Sequence, residues 1–457
     1  MELDMTKGRP MPIIFRFFLP IFLGNMFQQV YNLVDSVIVG QFVGQDAFAA
    51  VGSTGTIMFL IFGFANGLAT GFTVLTSQKY GAKDEKGIRR SVSNAILLCI
   101  LVALITTVLS LSTMPTILRL MNTPAAIYRD AYTYITIISA GIGCCCFYNL
   151  FSSLLRSVGN SKVPLYFLIF SAGLNILLDL VLIIGAKMGV AGAALATIIS
   201  QGISAVLCAG YIFTRVPMLR PRREDWGLHM ECTRKQLGVG LPMALQFAIT
   251  ASGTMIMQSA INKFGKVAIA GFTASSKVGG LLTQAFPALG QSMATYSGQN
   301  YGKGDVKRIH QGSHVAVVMA IVASVIGAVL ALLLLKPAIP LFMGKDVDMA
   351  SILPWARQYT YVSIIFYIPL GVLFIYRDMM QGCGYGFLPM VGGALELLAR
   401  VVMTVLSIHF GSYLLGVSGD PAAWLVTGVF SAIAYKVVMR DVERKFEKSG
   451  DKSFGKS

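Results

Sequence analysis

The sequence predicts an all-α integral membrane protein with twelve transmembrane helices arranged as two pseudo-symmetric six-helix bundles. Three observations support this fold class: an apolar composition, long uninterrupted hydrophobic runs, and a repeat that relates the two halves of the chain. Of the 457 residues, 55% are hydrophobic and 13% carry a charge, and the mean hydropathy is +0.69. A soluble protein of this length would carry about 25% charged residues.

Twelve hydrophobic segments follow one another along the chain. Each runs for roughly 20–27 residues without the alternation of a membrane strand, which indicates helices that cross the bilayer. They lie near 16–40, 53–79, 88–112, 130–155, 162–186, 190–214, 236–261, 274–299, 309–335, 352–379, 387–410 and 416–440.

Lysine and arginine concentrate in alternate connections between these segments. If the N-terminus is cytoplasmic, the inside segments hold 27 of the 37 basic residues. The positive-inside rule therefore predicts a multi-pass protein with both termini in the cytoplasm. The same distribution accounts for the formal net charge of +16 without nucleic acid, which we do not expect as a partner.

The two halves of the chain repeat. Leu68–Ile88 aligns without gaps on Leu289–Ile309, with identical residues at Gln78/Gln299, Tyr80/Tyr301, Gly81/Gly302, Asp84/Asp305 and Lys86/Lys307. Six spans in each half insert both repeats in the same orientation, as in transporters built from parallel repeats. The predicted divisions are an N-terminal bundle at 1–214, a basic cytoplasmic linker at 215–235, a C-terminal bundle at 236–440 and a polar cytoplasmic tail at 441–457.

An acidic residue, Asp35, lies inside the first hydrophobic segment, fifteen residues after Pro20. An ionisable group within a spanning helix costs about 2.5–3.5 kcal/mol on insertion scales, so such groups tend to persist where they have a function. We interpret Asp35 as a cation-binding acid. The alternative is an acid near the helix end that reaches the membrane interface.

Further polar residues fall at a similar predicted depth in the same bundle. Asn175 and Asp179 are four residues apart on the fifth span and therefore share a helical face. The fourth span carries Tyr134 and Asn149, and the sixth carries Thr197. Two carboxylates with hydroxyl and amide oxygens suit a monovalent cation or a shared proton. Unrelated interhelical hydrogen bonds are the alternative explanation.

The sequence contains no motif for ATP-driven transport or for catalysis. The segment Ser297–Asp305 is one residue too short for a phosphate-binding loop and has Gly304 where Ser or Thr is required. No catalytic constellation, zinc motif or cofactor motif is apparent. We therefore predict a non-enzymatic protein without a cofactor or bound metal, driven by a gradient of H⁺ or Na⁺.

The motifs VDSVIVG around Asp35, QKYGAKD and its repeat QNYGKGD, LRSVGNSKVP and NILLD resemble the multidrug and toxic compound extrusion (MATE) family over about residues 13–440. This resemblance implies the MATE-like fold. It also implies that the coupling cation binds at residues of the first, fourth, fifth and sixth helices. These correspond to Asp35, Tyr134, Asn149, Asn175, Asp179 and Thr197. Pro20 corresponds to the proline at which the first helix bends.

The C-terminal half departs from some relatives. The position related to Asp35 falls near the apolar Met257, and Glu396 is the only acid that the sequence places deep in this half. Glu396 would either contact a cationic substrate or form an ion pair with Arg400, one turn later. The sequence leaves these two interpretations open.

The resulting expectation is a monomeric antiporter in the cytoplasmic membrane of a bacterium or archaeon. It would export amphipathic, often cationic drugs in exchange for H⁺ or Na⁺ by alternating access. The first alternative is a flippase for lipid-linked oligosaccharides or polysaccharides from the same superfamily, which would favour a cavity lined by Arg and Lys. The second is a membrane receptor or scaffold that does not transport.

Overall fold

A computed structural model describes residues 3–121, 123–343 and 348–454 of the chain. These residues form α-helices joined by short connections, and no β-strand occurs among them. The predicted all-α class of membrane protein is confirmed.

The first half begins with three long helices and continues with four shorter ones. A single π-helical segment, Leu180–Gly185, follows α6 directly. The helices are α1 (Pro10–Phe42), α2 (Gln45–Gly81), α3 (Glu85–Leu120), α4 (Ala125–Ala140), α5 (Ile142–Ser157), α6 (Lys162–Asp179) and α7 (Gly189–Arg215).

The second half also begins with a long helix, but its second span is divided into two helices. Short 3₁₀ turns occur at Pro217–Leu219 and Arg223–Asp225 before it, and at Asn262–Phe264 within it. The helices are α8 (Met230–Ile261), α9 (Lys266–Leu282), α10 (Ala285–Lys303), α11 (Val306–Met343), α12 (Met349–Ile365), α13 (Tyr367–Gly382), α14 (Phe387–Phe410), α15 (Tyr413–Val417) and α16 (Gly419–Phe454).

Each of the twelve hydrophobic segments coincides with one helix or one pair of consecutive helices. Among the described residues, nine helices are long and apolar enough to cross a membrane, and eleven spans result if two bent pairs are counted. The bent pairs are α4 with α5, at 48°, and α12 with α13, at 50°. They occupy the fourth and tenth spans, which are equivalent positions of the repeat.

The segment predicted at 274–299 is the one that differs from a simple apolar span. It covers the end of α9 and most of α10, and the helix is interrupted at Thr283 and Gln284. α10 is rich in Ser, Thr, Gln, Asn and Gly, and most of its residues are buried within the protein. A helix enclosed by other helices needs no lipid-facing apolar surface, which explains its low hydrophobicity.

Contacts within the chain divide it into two units. Unit 1 contains Met1–Asp4 with Leu19–Ala244, and unit 2 contains Met5–Phe18 with Leu245–Ser457. The first helix of each repeat therefore begins in one unit and continues in the other. The divisions predicted at 214 and 236 rest on the repeat alone and remain a prediction.

The segment predicted as a linker, 215–235, packs onto unit 1. The guanidinium Nε of Arg89 donates to Oδ2 of the fully buried Asp225 at 3.0 Å. Oδ1 of Asn94 accepts from the backbone N–H of His229 at 2.9 Å, and its Nδ2 donates to Oε1 of Gln236 at 2.8 Å. These bonds between buried polar groups fix the start of α8 on α3.

The residues before α1 are held in unit 2 by similar bonds. The Arg308 guanidinium donates to the backbone carbonyls of Gly8 and Met5, at 2.8 and 2.9 Å. The backbone N–H of Met5 donates to Oε1 of the buried Gln299 at 3.0 Å. The N-terminal segment is therefore held in unit 2 by hydrogen bonds, as the segment 215–235 is in unit 1.

α16 extends beyond residue 440, where the sequence predicts the start of a tail. In this extension, Oε1 of Glu443 lies 3.0 Å from Nε2 of His310, and Lys445 forms an ion pair of 2.8 Å with Asp441. The final residues of the predicted tail, 455–457, lie outside the described part of the chain.

The repeated motif contains a helix cap in each half. Asp84 is the N-cap of α3, and its Oδ1 accepts from the backbone N–H of Gly87 at 2.8 Å. In the second half, Oδ1 of Asp305 accepts from the backbone N–H of Arg308 at 3.1 Å. Both acids satisfy a free N–H at the start of a long helix, which gives the repeated Asp a structural reason.

Replacing Asp84 with Ala is expected to destabilise the protein by about 1 kcal/mol through loss of this cap. The hydrogen bond from Lys79 and that from the Gly87 N–H hold the pKa of Asp84 below its usual range. The stabilisation is therefore present above the unfolded pKa of about 4 and is lost as the pH falls through the lower folded pKa. Thermal unfolding at pH 7 measures the loss, and Asp305→Ala should match it. An unchanged melting temperature in both variants would contradict the capping role.

Candidate functional site

The two aspartates predicted to meet do so within unit 1. Asp35 lies on α1 and Asp179 is the last residue of α6, and their carboxyl groups hydrogen-bond to each other. Asp179 is fully buried, and Oδ1 of Asp35 is also shielded from solvent and has no hydrogen-bond partner among the described residues. Two carboxyl oxygens can share a hydrogen bond only if one carries a proton. The pair is therefore suited to hold one proton, or to separate around a small cation.

Two phenol groups lie beside the carboxyl pair. Tyr134 on α4 is buried and interacts electrostatically with both Asp35 and Asp179. Tyr31 lies one turn before Asp35 on α1, interacts with both acids and hydrogen-bonds to the Thr197 side chain of α7. Sequence reasoning missed Tyr31. Its spacing of four residues from Asp35 places the two side chains on one helical face and could have indicated it.

The fifth predicted span contributes a second polar residue and an irregular backbone. Asn175 is buried one turn before Asp179, as its spacing predicts. The π-helical segment Leu180–Gly185 begins immediately after Asp179. π-Helical segments inside α-helices are frequent at functional sites, because the wider turn redirects the neighbouring side chains.

Thr197 and Asn149 both use their own helix as a hydrogen-bond partner. The Thr197 hydroxyl lies 3.0 Å from the carbonyl of Ala193, in addition to its bond with Tyr31. The Asn149 amide donates to the carbonyl of Cys145 at 3.0 Å. The described bonds of Asn149 thus run along α5, which leaves its contact with the cation a prediction.

Pro20 lies inside α1, which continues without a break from Pro10 to Phe42. A proline within a helix removes one backbone hydrogen bond and crowds the preceding turn, so this position favours bending. The bend at Pro20 remains a prediction.

Unit 2 contains a separate buried cluster of charged residues around Glu396. Oε2 of Glu396 lies 3.3 Å from Nη1 of Arg400, the ion pair that the sequence offered as one alternative. Nη1 of Arg377 lies 3.9 Å from the other carboxylate oxygen, and Nε of Arg400 lies 2.8 Å from Oδ1 of Asp420. Glu396 and Arg400 are 4% and 3% exposed, so both charges depend on their partners.

The cluster contains a second buried acid that the sequence analysis did not single out. Asp378 is also buried and accepts from Nε of Arg377 at 3.1 Å. Arg377, near the end of the span predicted at 352–379, lies on α13 over the ring of Phe374. Met257, near the position related to Asp35, packs in an apolar cluster with Phe272 and Tyr359. The carboxyl pair of unit 1 thus has no acidic counterpart at Met257.

The polar groups around Asp35 and Asp179 in unit 1 are mainly oxygen ligands. The carboxyl pair, two phenols, an amide and a hydroxyl suit a proton or a hard monovalent cation, which prefer oxygen donors. Within the described part of the chain, no three His, Cys, Asp or Glu residues are grouped as a transition metal would require.

The chain is similar to known proteins in sequence and in fold. The MatE family model matches residues 20–181 and 242–416. The chain is 30% identical over 383 residues to the probable multidrug resistance protein YpnP of Bacillus subtilis, which covers 83% of this chain and 84% of that protein. It is 23% identical over 423 residues to an FAD transporter of Shewanella oneidensis, covering 91% of each.

A solved structure of the same fold is the crystal structure of MATE in complex with MaL6. Its TM-score is 0.90 at 21% identity, and the match covers 97% of this chain and 99% of that chain. At this identity the likeness establishes the fold, whereas the family model and the sequence relatives establish the family. The chain is a multi-pass membrane protein of the MatE family.

Proposed function

We propose that the protein is an antiporter that exports small amphipathic or cationic compounds in exchange for H⁺ or Na⁺. The observation that carries this proposal is the carboxyl pair of Asp35 and Asp179 within a bundle of apolar helices. A relative that covers most of the chain is named a probable multidrug resistance protein, which supports drugs as the exported class.

In this proposal, the coupling cation binds between the two carboxylates in place of the shared proton, or is that proton. The other oxygen ligands come from Tyr31, Tyr134, Asn175 and Thr197. We propose Asn149 as a further ligand and Pro20 as the position at which α1 bends. Binding changes the charge at the junction of α1 and α6. A substrate whose affinity depends on this change must in turn alter the affinity for the cation, because linkage is reciprocal.

The membrane potential supplies enough energy for uphill export. One elementary charge that moves inward across 100 mV provides about 2.3 kcal/mol. For a neutral substrate exchanged one for one, this equals roughly a fiftyfold ratio of concentrations, at 1.4 kcal/mol per factor of ten. A singly charged cation moves its own charge outward against the potential, so its export relies on the concentration gradient of the coupling ion. We propose that the N- and C-termini are cytoplasmic and that the protein resides in the cytoplasmic membrane, as the distribution of basic residues indicates. We propose the monomer as the transporting form.

The flippase alternative requires basic residues that are free to bind a pyrophosphate. The two buried arginines of unit 2, Arg377 and Arg400, are instead neutralised by Asp378, Glu396 and Asp420. With three acids facing two guanidinium groups, this cluster does not carry an excess of positive charge. The arrangement therefore favours export of neutral or cationic compounds over binding of a pyrophosphate.

The test is transport of a fluorescent cationic dye in proteoliposomes, with a proton gradient or a sodium gradient imposed separately at a fixed potential. We expect one of the two gradients to drive dye accumulation. Under the same gradient, the ion should move in the direction opposite to the dye, and this ion flux should depend on the presence of dye. Equal dye movement with either gradient and with none would overturn ion coupling. Movement of an anionic substrate alone would overturn the substrate class.

A further inference from the structure

A basic cavity lies in unit 1 where the ends of three helices meet. Its volume is about 160 Å³, several times the roughly 30 Å³ that a water molecule occupies in the liquid. Six charged side chains of α2, α3, α8 and the α2–α3 turn line it: Lys79, Asp84, Lys86, Arg90, Glu231 and Lys235. Four are basic and two acidic, so the cavity carries a formal charge of +2.

The excess charge resides on two residues of α3. Lys79 is neutralised by Asp84 at 2.8 Å, and Lys235 by Glu231 at 2.6 Å. Lys86 and Arg90 have no carboxylate within 4 Å in the described chain. They are four residues apart and therefore lie on one face of the helix. The Nε of Arg90 is shielded from solvent and has no hydrogen-bond partner there.

A glycine keeps the floor of the cavity open. A Cβ at Gly87, which lies between Lys86 and Arg90, would come within 2.3 Å of Oδ2 of Asp84 and 2.7 Å of Cδ of Lys79. Any other residue would thus displace the neutralised pair Lys79–Asp84. Without a side chain at this position, the cavity presents unpaired N–H donors and a free positive charge, which suit a phosphate group.

The position of the cavity indicates where the phosphate comes from. Candidate membrane spans end at Gly81 and begin at Glu85 and Met230, so the cavity lies at one surface of the membrane. Trp226, Leu228 and Met230 are exposed in the segment that leads into Glu231 of the cavity lining. Exposed tryptophan and apolar side chains next to basic residues are typical of segments that rest in the headgroup region.

We propose that this cavity binds the phosphate of an anionic phospholipid headgroup, with Lys86 and Arg90 as its principal ligands. Basic pockets between transmembrane helices on the cytoplasmic side are known to bind such headgroups. The site is separate from the carboxyl pair, and the proposal holds whether or not transport is coupled to an ion. A free phosphate ion would use the same ligands and is distinguished below.

The experiment measures lipid binding by native mass spectrometry of the purified full-length protein. It compares phosphatidylglycerol with phosphatidylcholine of the same acyl chains. Wild type should prefer phosphatidylglycerol. Lys86→Gln combined with Arg90→Gln should reduce its binding roughly thirtyfold at low salt, and less as the salt concentration rises.

The matched control combines Lys162→Gln with Arg220→Gln, which removes two exposed positive charges of unit 1 outside the cavity. It should bind phosphatidylglycerol as wild type does. If the double variant of the cavity does not fold, Lys86→Gln alone, at an exposed side chain, should still reduce binding about fivefold.

A competition with inorganic phosphate, against chloride at equal ionic strength, separates the two sources. We expect millimolar phosphate to leave phosphatidylglycerol bound, because the acyl chains and the flanking apolar residues contribute to its affinity. Displacement of the lipid, with binding of phosphate alone, would overturn the lipid as the ligand. Equal binding of both lipids by wild type, or unchanged binding by the cavity variants, would overturn the site.

Discussion

Asp35→Asn abolishes gradient-driven accumulation if the carboxyl pair binds the coupling ion. Asparagine has almost the same shape but cannot exchange a proton or supply a negative charge. The ratio of dye concentrations that the imposed ion gradient sustains should therefore fall to near one. Dye accumulation in proteoliposomes under the driving gradient measures this ratio. Exchange of dye across the membrane without a gradient should persist, since asparagine fills the same space as aspartate.

Four further variants make this result specific. Asp179→Asn should reproduce the loss, and the double variant should be no worse than either single one, because residues that act as a unit are not additive. Asp46→Asn, which alters an exposed acid at the start of α2, should transport as wild type does. Tyr31→Phe removes the bond to Thr197 and should weaken ion affinity with little effect at saturating ion. Gradient-driven export at the wild-type rate by Asp35→Asn would show that the pair has no part in coupling.

Arg400→Met should destabilise the protein by about 3–5 kcal/mol, the cost of leaving buried charges without a partner. The substitution removes the guanidinium that Glu396 and Asp420 share, at 3.3 and 2.8 Å. Thermal unfolding in detergent without anionic lipid measures the change. Lys235→Met is the control, because it breaks an ion pair whose side chains are 53% and 80% exposed. Such a pair contributes at most about 1 kcal/mol.

Glu396→Gln decides between the two interpretations of this acid. Arg400 would keep its bond to Asp420, so we expect a smaller loss of stability than in Arg400→Met. An ion-pair role predicts that transport follows stability in both variants. Reduced transport by Glu396→Gln at unchanged stability would instead show that the carboxylate contacts a substrate or an ion. A melting temperature of Arg400→Met equal to that of Lys235→Met would contradict the ion-pair role altogether.

The pairing of Asp35 with Asp179 was accessible from sequence because each acid is conspicuous in an apolar span. Counting residues from the predicted span ends placed both at one depth, and Asn175 followed from its spacing to Asp179. Tyr31 was not recognised because a tyrosine in a hydrophobic span resembles any other aromatic residue. Its contribution becomes visible only when α7 brings Thr197 to its hydroxyl.

The charged cluster of unit 2 shows a different limit. Arg400 lies four residues after Glu396, and helical periodicity reveals that pair. Arg377 and Asp420 lie about twenty residues away on α13 and α16, and only the packing of these helices brings them to the same centre. The sequence therefore did not indicate that Arg377, near the end of a predicted span, belongs to this cluster, although it is largely buried.

The bends of the fourth and tenth spans were also beyond the sequence. Gly141 follows the last residue of α4, whereas Phe366 follows that of α12, so the two bends share no residue type. Their similar angles, 48° and 50°, show that the repeat preserves backbone geometry after its sequence has diverged. The longest match between the two repeats is the segment of the Asp84 and Asp305 caps, where the backbone requires a specific side chain.

The division of the first helix of each repeat between the units means that the two repeats are not autonomous fragments. A chain cut after residue 214 would lose the partners that Arg89 and Asn94 find in Asp225, His229 and Gln236. It would also lose the close approach of Gly240 to Gly71, where a Cβ would come within 2.3 Å of backbone. If the two repeats arose by duplication of a six-helix ancestor with this topology, two ancestral chains would already have exchanged the first part of their first helix. Fusion into one chain would then have preserved a dependence between the two chains that existed before it.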